Sequence, residues 1–165
     1  MTHLVHIAFG SNMGDRRGYI SEALAAITDL SNTELISTSS LYSSKPWGYE
    51  SEHLFINGVC SVRASKSAIG LLSALQRIEK SIGRTAKTTD GYSDRVIDLD
   101  LVSYGRLVLN TPKLTVPHGL AHVRNFVLEP MAEISPEWVH PLYLETAETL
   151  LARLNEAPLT KVDAL

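Results

Sequence analysis

Apolar and polar positions fall into two rhythms along this chain, a period of two and a period between three and four, and their alternation divides it into elements. Residues 4–9 form an apolar run that stops at Gly10-Ser11-Asn12-Met13-Gly14-Asp15, a stretch of turn formers, and predict a strand. Ile20, Ala23, Leu24, Ile27 and Leu30 recur at helical spacing behind it. Residues 34–42 and 54–64 predict two further strands, parted by an irregular segment 43–52 that contains Lys45-Pro46-Trp47-Gly48-Tyr49. Ser65 can cap a second helix that runs to Ile82, with Leu71, Leu75, Ile78 and Ile82 as its apolar face and Gly83 as its stop. A polar loop, 84–94, leads to a fourth strand at 95–102. The order β-α-β-β-α-β is the split arrangement of a ferredoxin-like α+β fold, here layered α/β/α. Residues 106–110 should return as a hairpin strand, and residues 126–134 and 146–156 predict C-terminal helices. No repeat or linker interrupts residues 1–165, so one domain is expected.

Within the fourth strand the pattern carries chemistry. Asp98 and Asp100 share one face while Ile97, Leu99 and Leu101 take the other. Two strand rises separate the carboxylates by roughly 6–7 Å at their Cα atoms. Asp is depleted in strands, and two like charges on one face repel unless a cation lies between them. An edge strand with a solvated acidic face would look the same; a site for Mg²⁺ or Mn²⁺ explains the pair better, with hard oxygen ligands and no thiol nearby. Arg95, three residues upstream, points to an anionic partner such as a phosphate.

Three further groups surround that strand. Gly10-Ser11-Asn12 could form a phosphate or substrate turn, or a plain connection from strand to helix. Gln76 and Glu79 lie three apart on the second helix, and Arg84, Lys87 and Arg95 place three cations around the loop that ends at the aspartates. Pro117-His118, Arg124 and Phe126 bring together an imidazole, a guanidinium and a ring. Neither a Walker A sequence nor G-x-G-x-x-G is present. The spacing between Gly-Ser and the aspartates is too long for a nucleotidyltransferase.

Composition narrows the class. Hydrophobic content of 44%, charged content of 20% and a net charge of −3 are those of a soluble globular protein. No broad basic surface for nucleic acid is indicated, and no apolar run is long enough to span a membrane. The single cysteine, Cys60, excludes an intrachain disulfide and a Cys-based zinc cluster. A cytoplasmic location is expected, and a monomer.

In order and spacing, Asp94-Arg95-Val96-Ile97-Asp98-Leu99-Asp100-Leu101, Thr115-Val116-Pro117-His118 and Arg124-Asn125-Phe126-Val127-Leu128-Glu129-Pro130 resemble the 6-hydroxymethyl-7,8-dihydropterin pyrophosphokinase family. The resemblance runs from Gly10 through Glu137 and implies transfer of diphosphate from ATP to a pterin alcohol in folate biosynthesis, with small molecules as the only partners. It implies that Asp98 and Asp100 hold two Mg²⁺ ions and that Arg84 and Arg95 act as catalytic arginines at the phosphates. Gln76, Glu79, Lys113, Thr115, His118 and Arg124 fall at positions expected on the ATP side or the catalytic loop. Phe55 and Phe126 match the rings that sandwich the pterin, Asn57 the amide that reads its edge, and Ser44, Lys45 and Trp47 the pterin-side loop. The chain departs from the family at Ala86, at Gly119 and in Gly91-Tyr92-Ser93-Asp94, where a Trp-Gly-Pro segment is common. A non-catalytic ferredoxin-like module and a metal-dependent phosphohydrolase are the competing classes. The first leaves the charged groups without a purpose, and the second does not need the rings and the amide.

Overall fold

The structure, a computed structural model, describes residues 1–83, 93–163 and 165. Strands β1 (His3–Ser11), β2 (Thr33–Thr38), β3 (Leu41–Ser44), β4 (Phe55–Ala64), β5 (Asp98–Tyr104) and β8 (Thr160–Val162) form one sheet; β6 (Leu109–Asn110) and β7 (Thr115–Val116) form a small second one. The main sheet runs β5-β1-β4-β3-β8 with β2 also on β4, and every pairing is antiparallel. This is the ferredoxin-like α+β arrangement, with β2 and β3 sharing one strand position.

Helices α1 (Arg16–Thr28) and α2 (Ala68–Ile82) cover one face, where Val5, Ile7, Phe9, Leu99 and Leu101 meet Ile20, Ile27, Leu71 and Leu75. Helices α3 (Asn125–Ile134) and α4 (Ala147–Leu154) lie on the other, over Val59 and Val102, so the layering is α/β/α. Among the described residues no helix is long and apolar enough to cross a membrane.

Local chemistry moves several boundaries. The second strand breaks because Ser39 supplies its own ladder: its N–H donates to Val59 O and its Oγ accepts from Val59 N–H, at 2.9 and 3.0 Å. Ser67, not Ser65, caps α2, accepting from Gly70 N–H at 3.1 Å. Gly83 closes the helix at φ 112°, the left-handed position that favours glycine. β5 begins at Asp98 rather than 95, since the backbone of Arg95 bonds the Asn12 side chain and backbone instead of a strand. The hairpin after β5 does not return onto it: Leu109–Asn110 pairs with Thr115–Val116. The segment beyond Pro158 supplies β8 on the sheet edge, which its short pattern did not announce.

Candidate functional site

Across three neighbouring strands, Asp98 on β5 is opposite Gly10 on β1, and Gly10 is opposite Asn57 on β4. One row of the sheet therefore carries a carboxylate, a bare backbone position and an amide. Gly10 is required there, because a Cβ would stand 2.6 Å from Asn57 Oδ1 and 3.4 Å from Phe55 Cδ1. Asp100, opposite Ala8, shares the face, and the odd-numbered neighbours Leu99 and Leu101 are buried below.

This row lies beyond the N-terminus of α3, where the second helical layer stops. The uncovered half of the face forms a cavity of about 260 Å³. Ala8, Gly10, Asp98 and Asp100 line it from the sheet, with Phe55, Asn57 and Ser44 from β4 and β3. Lys45, Trp47 and Tyr49 line it from the loop between those strands. Ser93 and Arg95 line it from the approach to β5, and His118, Leu120, Arg124, Phe126 and Val127 from the approach to and first turn of α3.

The polar groups are fixed by specific bonds. Arg95 Nη1 donates to Asp98 Oδ2 at 2.9 Å, with both side chains about four-fifths buried. Asn57 Nδ2 donates to Ser44 Oγ at 2.6 Å. The buried Arg124 guanidinium stands 4.6 Å over the Trp47 ring and 5.6 Å from that of Phe126. His118 follows the cis Val116–Pro117 bond; its N–H donates to Val102 O at 2.8 Å and its Nδ1 accepts from Leu120 N–H at 3.2 Å.

The structure thus brings together Ser44, Lys45, Trp47, Phe55, Asn57, Arg95, Asp98, Asp100, His118, Arg124 and Phe126. Four of the sequence-derived positions do not line the cavity. Gln76 is exposed on α2, Lys113 is exposed between the two strands of the small sheet, and Thr115 is exposed within it. Glu79 is buried, and its Oε2 accepts from Leu99 N–H at 3.3 Å, which places it at the outer edge of the aspartate strand. Arg84 lies outside the described residues.

The sequence pattern assigns no role to Tyr49 or Asp94, and it holds Asn12 only as part of the candidate turn Gly10-Ser11-Asn12. Asn12 Nδ2 donates to Asp94 Oδ1 at 2.8 Å and to Tyr49 Oη at 3.2 Å, while its Oδ1 accepts from Arg95 N–H at 2.7 Å. The turn Gly10-Ser11-Asn12 and the Asp before Arg95 were visible in the sequence, but a junction of three separate loops has no linear signature. Burial pushes the Asp94 carboxyl up, but hydrogen bonds from Ser51, Asn12 and Tyr49, with His53 beside it, outweigh this and hold it below its usual range. The Tyr49 phenol is pushed up to about 12, first by burial and then by the Asp94 carboxylate, with the Asn12 bond and the Arg95 charge opposing.

An α+β sheet here opens onto a cavity lined by paired carboxylates, cations, rings and an amide, the make-up of a small-molecule site. Residues 6–136 match the model of the 7,8-dihydro-6-hydroxymethylpterin-pyrophosphokinase (HPPK) family. A 2-amino-4-hydroxy-6-hydroxymethyldihydropteridine pyrophosphokinase of Haemophilus influenzae is 40% identical over 136 residues, covering 82% of this chain and 84% of that one. A folic acid synthesis protein, fol1, of Pneumocystis carinii is 40% identical over 138 residues, which is 84% of this chain and 18% of that protein. Plasmodium falciparum HPPK-DHPS with pteroate superposes with a TM-score of 0.69 at 15% identity, over 93% of this chain and 42% of the other. The chain spans under a fifth of the Pneumocystis relative and less than half of the Plasmodium chain, but most of the bacterial enzyme. It belongs to the HPPK family of pyrophosphokinases.

Proposed function

We propose that the chain transfers the diphosphate group of ATP to the hydroxymethyl group of 6-hydroxymethyl-7,8-dihydropterin in folate biosynthesis, with AMP as the leaving product. The observation that carries this reading is the shared cavity, in which Phe55, Phe126 and Asn57 lie beside Asp98, Asp100 and Arg95. The rings suit the faces of a bicyclic heterocycle, and an amide supplies both a donor and an acceptor for its edge. Ser44, Lys45 and Trp47 border the same subsite.

Asp98 and Asp100 fit two Mg²⁺ ions. Among the described residues no cluster of three or more His, Cys, Asp or Glu side chains is placed to hold a metal, so phosphate and water oxygens would complete each shell, as Mg²⁺ prefers. When bound, the ions neutralise phosphate charge and polarise the phosphoryl oxygens.

The protein's own work is positioning. Arg95, held by Asp98 before any ligand arrives, offers its remaining donors where charge grows on the transferred group. Arg84 is assigned the same role by its match to the family. His118 and Arg124 add donors from the α3 side. Gln76, Glu79, Lys113 and Thr115 are assigned to the ATP side by their match to the family. Residues 1–165 act as one domain, a cytoplasmic monomer whose single thiol, Cys60, is buried.

Purified protein given Mg²⁺, ATP and the pterin alcohol should form AMP and the pterin diphosphate in equal amounts. AMP or ADP formed without the alcohol would favour a phosphohydrolase, and no turnover would favour a binding module.

A further inference from the structure

The ten residues 45–54 border the cavity through Lys45, Trp47 and Tyr49 and connect the ends of β3 and β4. The ladder between β3 and β4 ends at Ser44 and Phe55. Side-chain bonds fasten the loop beyond that ladder. Arg16 Nη1 donates to Leu54 O at 2.9 Å, and Arg124 stands over Trp47. The remaining bonds converge on one carboxylate across the cavity rim.

Asp94 Oδ1 accepts from Tyr49 Oη at 3.1 Å and from Asn12 Nδ2 at 2.8 Å, while Oδ2 accepts from Ser51 Oγ at 3.1 Å. His53 Nε2 lies 3.9 Å from Oδ2, and His53 N–H donates to Ser51 Oγ at 3.1 Å. Asn12 completes the junction, since Nδ2 also reaches His53 O and Oδ1 takes the Arg95 N–H. A charged acceptor makes bonds about twice as strong as a neutral one, so the charge of Asp94 is what gathers the donors. Three residues beyond Arg95 the chain enters the strand of Asp98 and Asp100.

We propose that Asp94 is a positioning residue for the pterin half of the reaction: its carboxylate fastens the 45–54 loop to the approach of the aspartate strand, so that Tyr49 already stands in the cavity wall when substrate arrives. The role rests on the pterin reading of the cavity. A loop ordered in advance has less freedom to lose on binding, so the gain falls on the ligand that touches it. ATP, placed along β5, is served by groups that this loop does not carry.

The test joins a measurement without ligand to one with it. In Asp94→Ala, amide hydrogen exchange across 45–54, read by mass spectrometry, should quicken about tenfold, the scale of a lost bond to a charged group, while β1 and β4 stay protected. In steady-state AMP formation the KM for the pterin should rise about tenfold, with the KM for ATP and kcat within about threefold of the wild type. Tyr49→Phe keeps the ring and should shift both readings the same way by a smaller factor; it carries the test if Asp94→Ala does not fold. Unchanged exchange in 45–54 overturns the fastening. Faster exchange with an unchanged pterin KM, or an equal rise in both KM values, overturns the positioning role. If the wild type forms no AMP, the pterin reading fails by itself, and the exchange contrast still decides for or against the fastening.

Discussion

Asp98 and Asp100 look alike in the sequence but do not stand in equal surroundings. Asp98 is bonded to Arg95 in a pair whose side chains are only 20% and 17% exposed, so removing its carboxylate strands a largely buried guanidinium. Asp100 stands two residues further along the same face, where its carboxylate and that of Asp98 repel each other. Asp98→Ala should therefore cost about 2 kcal/mol of stability, the value of a hydrogen bond to a charged group, whereas Asp100→Ala should be close to neutral. If the two carboxylates hold the proposed Mg²⁺ ions, both variants should lower the rate of AMP formation at least a hundredfold. Urea melts beside initial rates separate the two effects. Equal melting midpoints would mean that the Arg95 pair contributes nothing, and wild-type rates would remove the metal role.

At the level of elements, His6 joins three of them. Its Nδ1 shares a hydrogen bond with Ser103 of β5 at 2.7 Å, and its Nε2 one with Ser135, at the end of α3, at 2.9 Å. Burial lowers its pKa from 6.5 to about 4. The unfolded chain therefore takes up a proton near pH 6.5, and the fold only near pH 4. Within that window the unfolded state binds more protons, so this contribution is full above pH 6.5 and is lost as pH falls toward 4. A shift of that size amounts to about 3 kcal/mol. His140 is also held low, by burial and then by the charge of His122, and adds in the same direction. Stability measured in urea from pH 7 to 4.5 should fall in the wild type and fall less in His6→Gln; parallel curves would assign the loss elsewhere. His6 illustrates what sequence reading misses here. It fits the strand pattern of residues 4–9, which gave β1 its place, yet nothing local shows that two serines 97 and 129 residues away will meet its ring.

Over the whole molecule, legibility followed the range of the interaction. The helices, the four core strands and their order came from periodicities that each element carries itself, and the α+β ferredoxin-like frame follows from that order. Element boundaries lie elsewhere than the pattern puts them where a serine or asparagine finds a better partner, at strand ends near Ser39 and Asn12 and at the start of α2 by Ser67. β8 is three residues long and gains its strand character only from the edge of β3. Within the site, the positions on strands and next to α3 gather in one cavity, whereas the Asn12–Asp94–Tyr49 junction arises from three loops that meet only after folding.

The row Asp98–Gly10–Asn57 also acts as a gauge. Its members sit on adjacent strands of one ladder, so two interstrand steps of about 4.8 Å fix the gap between carboxylate and amide near 10 Å. Loop movements change what covers this gap but not its length, because the backbone hydrogen bonds of the sheet set it. Under the proposed pterin reading, a ring seated against Asn57 presents its alcohol at one reach and no other. An analogue with one extra methylene between ring and hydroxyl should bind within a few-fold of the natural length yet form its diphosphate about a hundredfold more slowly, the scale of a 1 Å misplacement. Comparable rates for the two alcohols would show that the alcohol finds its phosphorus by sliding, and that the sheet is a floor rather than a ruler.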